Sequence, residues 1–126
     1  MIVSSEIMAN DRFEDLIIWK KAVELAEDIF NSFKNCKQFS LKNQVERAVI
    51  SVSTNIAEGF EQGTNKQFIR YLYIAKGSCG EVRSLVKLAD RLDLVDKEQA
   101  QIMAEKSSRL SVSIHKFISS RSQLKA

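Results

Sequence analysis

The sequence predicts an all-α protein, an antiparallel up-down-up-down four-helix bundle, and three observations carry the prediction. The 126 residues include no proline and only four glycines, too few for the many tight turns of a sandwich or barrel. Apolar residues recur at three- and four-residue spacing along four long stretches, the period of a helix with one buried face. The connections between those stretches are short, which favours antiparallel neighbours. The length suits one domain with a modest core, and 44% apolar against 28% charged residues is a globular balance.

Helix one is expected from Phe13 to Lys34, with Leu16, Trp19, Ala22, Val23, Ala26, Ile29, Phe30 and Phe33 inward. The stretch NCKQFS breaks the period, and Ser40 is the expected N-cap of the next helix. Helix two is expected over 41–62, with Leu41, Val45, Ala48, Val49, Val52, Ile56 and Phe60 on its apolar face and Gly59 on the same side, where it lets a neighbour pack closely. Gly63 supplies a left-handed stop, and Thr64 with Gln67 forms a capping-box pattern that opens helix three. Helix three follows over 65–92, with Phe68, Tyr71, Leu72, Ala75, Cys79, Val82, Val86 and Ala89 inward. Asp96 with Gln99 repeats the capping pattern. Helix four then buries Ala100, Met103, Ser107, Leu110, Ile114, Phe117 and Ile118. The expected organisation is a loose arm over 1–12, the bundle over 13–120 and a frayed end over 121–126.

Searches for chemistry return little, and the chain is expected to be non-enzymatic with no cofactor, metal or small-molecule substrate. The run GFEQGTNK has its glycines four apart and no preceding strand, which is not the spacing of a phosphate-cradling loop. The single histidine, His115, has no carboxylate at helical spacing. Cys79 falls among core positions and Cys36 in a loop, and the two match no metal or redox spacing. A dimetal bundle would need Glu-x-x-His pairs facing inward, and the sequence has none. No apolar run approaches membrane-spanning length and no targeting pattern is visible, so a cytoplasmic location with reduced thiols and no membrane contact is expected.

Two surfaces remain. Gln44, Arg47, Ser51, Asn55 and Glu58 fall in a stripe about 80° wide on helix two. Ser and Asn are poor helix formers there, so the stripe is either an ordinary polar face or a set of specific hydrogen bonds. On helix three, Lys66, Arg70, Lys76, Arg83, Lys87 and Arg91 share an arc of about 140° with Tyr73, Gly77, Gly80 and Ser84. Such a row is either a solvated face or a non-specific nucleic-acid surface. The mid-helix glycines cost about 1 kcal/mol each relative to alanine, which close approach of another helix or of a sugar-phosphate backbone would explain. Net charge supports the second reading only mildly. The chain carries +3, residues 1–34 carry −3 from four basic and seven acidic side chains, and the remainder therefore carries +6.

Three stretches, LIIWKKAVELA (16–26), QVERAVISVSTNIAEGF (44–60) and FIRYLYIAKGSCGEV (68–82), together resemble the four-helix-bundle proteins encoded in intervening sequences of bacterial 23S ribosomal RNA genes. The likeness runs from Phe13 to about Phe117 and is most specific at Arg47, Ala48, Ser51 and the run Asn55 to Phe60. The chain departs from the family pattern at NCKQFS, where a Phe-Pro and an acidic residue are usual. It departs again at Val52 and Ser53, where a proline is common, which implies a straighter helix two. The family is also similar to the accessory variability proteins of diversity-generating retroelements, which form basic pentameric rings that work with nucleic acid. The resemblance implies a homo-oligomer, a pentamer, with the polar stripe at or beside a subunit interface and RNA or DNA as partner. A protein–protein scaffold without a nucleic-acid role is the alternative.

Overall fold

The computed structural model describes residues 12–124, so the expected arm lies outside the described residues except for Arg12. Four helices fill the described chain: α1 (Ile17–Ser32), α2 (Phe39–Glu61), α3 (Asn65–Arg91) and α4 (Lys97–Ser122). The largest packing surfaces join α2 to α3 and α3 to α4, while α1 closes the assembly against α2 and α4. Sequential antiparallel neighbours with α1 and α3 on a diagonal make the expected up-down-up-down bundle.

The core is continuous from end to end. Phe33, Leu25, Ile29, Ile56, Leu72, Met103, Ile114 and Ile118 are among its largest fully buried side chains. At one end Phe68 meets both Phe60 and Phe117 edge-on, at 5.8 and 5.6 Å between ring centroids. Cys36, expected as a loop bystander, is buried in this core instead. The Cys36 amide donates to the Phe33 carbonyl at 3.0 Å, which turns the chain just after α1, and a small thiol suits the buried position.

Helix starts follow local chemistry where a short polar side chain stands before the first turn. The Thr64 hydroxyl accepts from the Gln67 amide at 3.2 Å, and the Asp96 carboxylate accepts from the Gln99 amide at 3.0 Å. Gly63 has φ 85°, the left-handed conformation expected of the α2–α3 corner. Helix three closes less predictably, on Asp93 at φ 57°, with the Leu94 amide donating to the Ala89 carbonyl.

Several expected boundaries are corrected. Helix one is not continuous from Phe13: Phe13–Asp15 form a 3-10 turn, and Leu16, in extended conformation, precedes α1. The break lets Phe13 set its ring against Trp19 at 5.3 Å. Ser40 is not the cap of α2, which starts at Phe39 after Gln38 with no side-chain cap bond. Helix α1 turns Ile18 and Leu25 inward, which the expected face omitted, and leaves Phe30 41% exposed. Its apolar arc is too broad for periodicity alone to fix the centre. Helix α4 runs to Ser122, two residues into the segment expected to fray.

Candidate nucleic-acid interface

Side-chain direction on α3 follows from its two buried contacts. Because α2 and α4 flank it, and Phe68, Leu72, Ala75, Cys79, Val82, Val86 and Ala89 face the core, the opposite side of the helix meets solvent. Lys66, Arg70, Tyr73, Arg83, Lys87 and Arg91 are exposed there, and Lys76 is half-buried at its edge. The six cations span about 37 Å of helix axis at 1.5 Å per residue. Together with Glu81 and Asp90 they give α3 a net charge of +4, more than the +3 of the whole chain.

These cations are uncompensated. Among the described residues Arg12, Lys42, Lys97, Lys106 and Arg109 pair with carboxylates, whereas none of the six on α3 does. Arg83 donates to the Ser108 hydroxyl at 3.4 Å, and Arg70 donates to the Gln67 side-chain carbonyl at 3.3 Å while its guanidinium lies 5.9 Å from the Tyr71 ring centre. Lys66 with Arg70, Arg83 with Lys87, and Lys87 with Arg91 are like charges at i,i+4. Each such pair destabilises a helix by about 0.2–0.5 kcal/mol. The face therefore lowers the stability of the helix that carries it.

The glycines of this face do not seat a neighbouring helix of the same chain. A Cβ built on Gly77 or Gly80 meets nothing within 4 Å. Gly59 is the close-approach glycine: a Cβ there would stand 2.6 Å from the Tyr71 Cβ, where α2 and α3 cross.

The polar stripe of α2 divides in two. Gln44, Ser51 and Asn55 line the seam with α3. The Gln44 amide donates to Glu81 at 3.4 Å, the Ser51 and Ser78 hydroxyls share a hydrogen bond of 2.9 Å, and the Asn55 amide donates to the Ser51 carbonyl and hydroxyl at 2.7 and 2.9 Å. With Ala48 and Gly59 these small side chains form the ridge on which α3 rests. The poor helix formers are thus explained inside the chain, by hydrogen bonds and close packing. Arg47 and Glu58 are exposed and make no ion pair among the described residues.

One groove and the buried thiol offer little further chemistry. A groove of about 180 Å³ between α1 and α4 is lined by Lys21, Glu24, Lys106, Arg109 and Leu110. Two of its three cations are already matched, since Lys106 meets Asp28 at 2.6 Å and Arg109 meets Glu105 at 2.5 Å. Burial pushes the Cys79 thiol up to about 12, so it stays protonated and unreactive. No group of three or more His, Cys, Asp or Glu side chains among the described residues is placed to hold a metal ion. No helix among them is long and apolar enough to cross a membrane.

Fold and surface together define an all-α bundle with one uncompensated basic helix face. The chain belongs to the 23S rRNA-intervening sequence protein family, whose model matches residues 14–116. Four solved chains match it in fold. One is the crystal structure of a protein of unknown function from the S23 ribosomal protein family of Bacteroides thetaiotaomicron VPI-5482. It is 24% identical, superposes with a TM-score of 0.77, and the match covers 81% of this chain and 98% of that one. A likeness at that identity speaks to the fold alone. Comparison with curated proteins returned no match.

Proposed function

We propose that this protein is a non-enzymatic, oligomeric bundle that binds RNA or DNA through the exposed face of α3, without sequence preference. One observation carries the reading: six cations share one exposed helix face, and none of them has a carboxylate partner among the described residues. Phosphates would supply the missing counter-charge, and release of their condensed ions would drive binding. The residues assigned to contact are Lys66, Arg70, Tyr73, Lys76, Arg83, Lys87 and Arg91. Oligomerisation, to a pentamer, is supported by the resemblance to accessory variability proteins and by large exposed apolar side chains such as Ile74, Leu88 and Leu92. Light scattering at micromolar concentration tests it, and a monomer mass would refute it.

The test of binding is a titration of purified protein against structured RNA and duplex DNA at low and moderate salt. Saturable binding that weakens steeply with salt is expected, and no binding at low salt ends the proposal. The open surface over Gly77 and Gly80 favours a second reading, a scaffold that seats a partner protein's helix. Reversing charge with Lys87→Glu and Arg91→Glu separates the two. Loss of nucleic-acid binding by a variant of unchanged mass supports the first reading, and unchanged binding removes α3 from it.

A further inference from the structure

From the track that Tyr73 heads on α3 we infer that the nucleic acid is an unpaired strand, with a base stacked on the Tyr73 ring. The inference rests on the nucleic-acid reading above and adds the class of ligand to it. Tyr73, Gly77, Gly80 and Ser84 fall within an arc of about 60° on α3. Tyr73 is 54% exposed, and Gly77, Gly80 and Ser84 are exposed beside it. In a helix each side chain leans toward the N-terminus, so the residue four positions on covers the flank of the one before it. Four positions after Tyr73 stands Gly77, with open space where a side chain would begin. One flank of the ring is therefore uncovered. Tyr73 has neither an aromatic nor a cationic partner among the described residues, unlike Tyr71, which lies under Arg70.

Charge surrounds this ring on the scale of a single strand. Lys66 and Arg70 stand within two turns on its N-terminal side, and Lys76 and Arg83 follow along one edge of the small-residue track. A strand laid over Gly77, Gly80 and Ser84 brings its backbone close to the helix, because no long side chain intervenes. Its phosphates then meet the flanking cations while one base turns onto the ring. This combination of basic groove and stacking aromatic is sequence-tolerant, because every base has a π-face. A duplex presents its phosphates but hides its base faces in the stack, and a ring projecting from the basic row holds it away from the track.

The experiment compares full-length protein with a labelled single-stranded oligo-dT of about 15 nucleotides and a duplex of equal length, at low salt, by fluorescence anisotropy. The single strand is expected to bind several-fold more tightly. Tyr73→Ala should weaken strand binding about tenfold or more, and Tyr73→Phe should leave it within about twofold. Tyr73→Trp adds a direct readout, since its emission should be quenched on addition of the strand and little changed by the duplex. A duplex that binds as well as the strand, or a Tyr73→Ala variant that binds like the parent, overturns the stacked-base assignment while leaving the basic surface intact. Absence of binding by either probe overturns both readings together.

Discussion

Gly59 and Gly77 show how the same residue type carries opposite constraints on two sides of the α2–α3 hairpin. A methyl group at Gly59 would sit 2.6 Å from the Tyr71 Cβ and 3.1 Å from the Phe68 ring, so the two helices would have to separate. We expect Gly59→Ala to destabilise the fold by about 1–3 kcal/mol in urea unfolding, despite alanine's better helix propensity. At Gly77 the same change meets open space, and Gly77→Ala should stabilise by about 0.5–1 kcal/mol. Destabilisation by Gly77→Ala would mean that the exposed face is packed in solution. The role of Gly59 was legible because the residue falls on the apolar face of a periodic helix. The partners of Ser51 and Asn55 were not, because a helical wheel gives the direction of a side chain without the neighbour it meets. Only the packed hairpin brings Ser78 within 2.9 Å of Ser51.

Among the elements, the starts of α3 and α4 were readable because the capping signal is local: an oxygen at the cap and an amide three residues on. The break at Leu16 and the start of α2 at Phe39 lack such a signal, and tertiary packing decides them. The end of α4 is a stronger case, since its partner lies 56 positions away in sequence. The Asn65 amide donates to the Arg121 carbonyl at 2.8 Å, its side-chain carbonyl accepts from Arg121 Nε at 2.6 Å, and the guanidinium lies 4.8 Å from the Phe68 ring centre. Burial lowers the pKa of this guanidinium from its ordinary value, the cost of desolvating a cation that has no carboxylate partner among the described residues. Asn65 thus holds the last turn of α4 against the first turn of α3. Asn65→Ala removes both bonds without harming local helix propensity, and should destabilise by about 1–2 kcal/mol. Hydrogen exchange should quicken over the final turn of α4 and stay unchanged at the Asp96 end. Uniform quickening would show that the clamp supports the whole bundle and not its terminus.

For the molecule as a whole, the fold follows from periodicity and composition, whereas the proposed function depends on how charge is distributed over the folded surface. A net charge of +3 says little until α3 alone is seen to carry +4, against −1 for the rest of the chain. The bundle then directs that charge to one side, because the neighbours of α3 occupy its other faces and leave its cations in solvent. Cations that meet phosphates displace condensed ions, so the number engaged can be counted from the salt dependence of binding. For a single strand the slope of log K against log salt is about −0.7 per phosphate neutralised. If all six cations of α3 engage, the slope should be about −4, and Lys87→Gln with Arg91→Gln should reduce its magnitude by about 1.4. The same two substitutions should leave unfolding stability unchanged or slightly raised, since they remove two like-charge i,i+4 contacts and no ion pair. A slope unaffected by the pair of substitutions would place the bound strand elsewhere on the bundle. A slope well beyond −4 would mean that cations from more than one α3 act on the same strand, as a ring of subunits would allow.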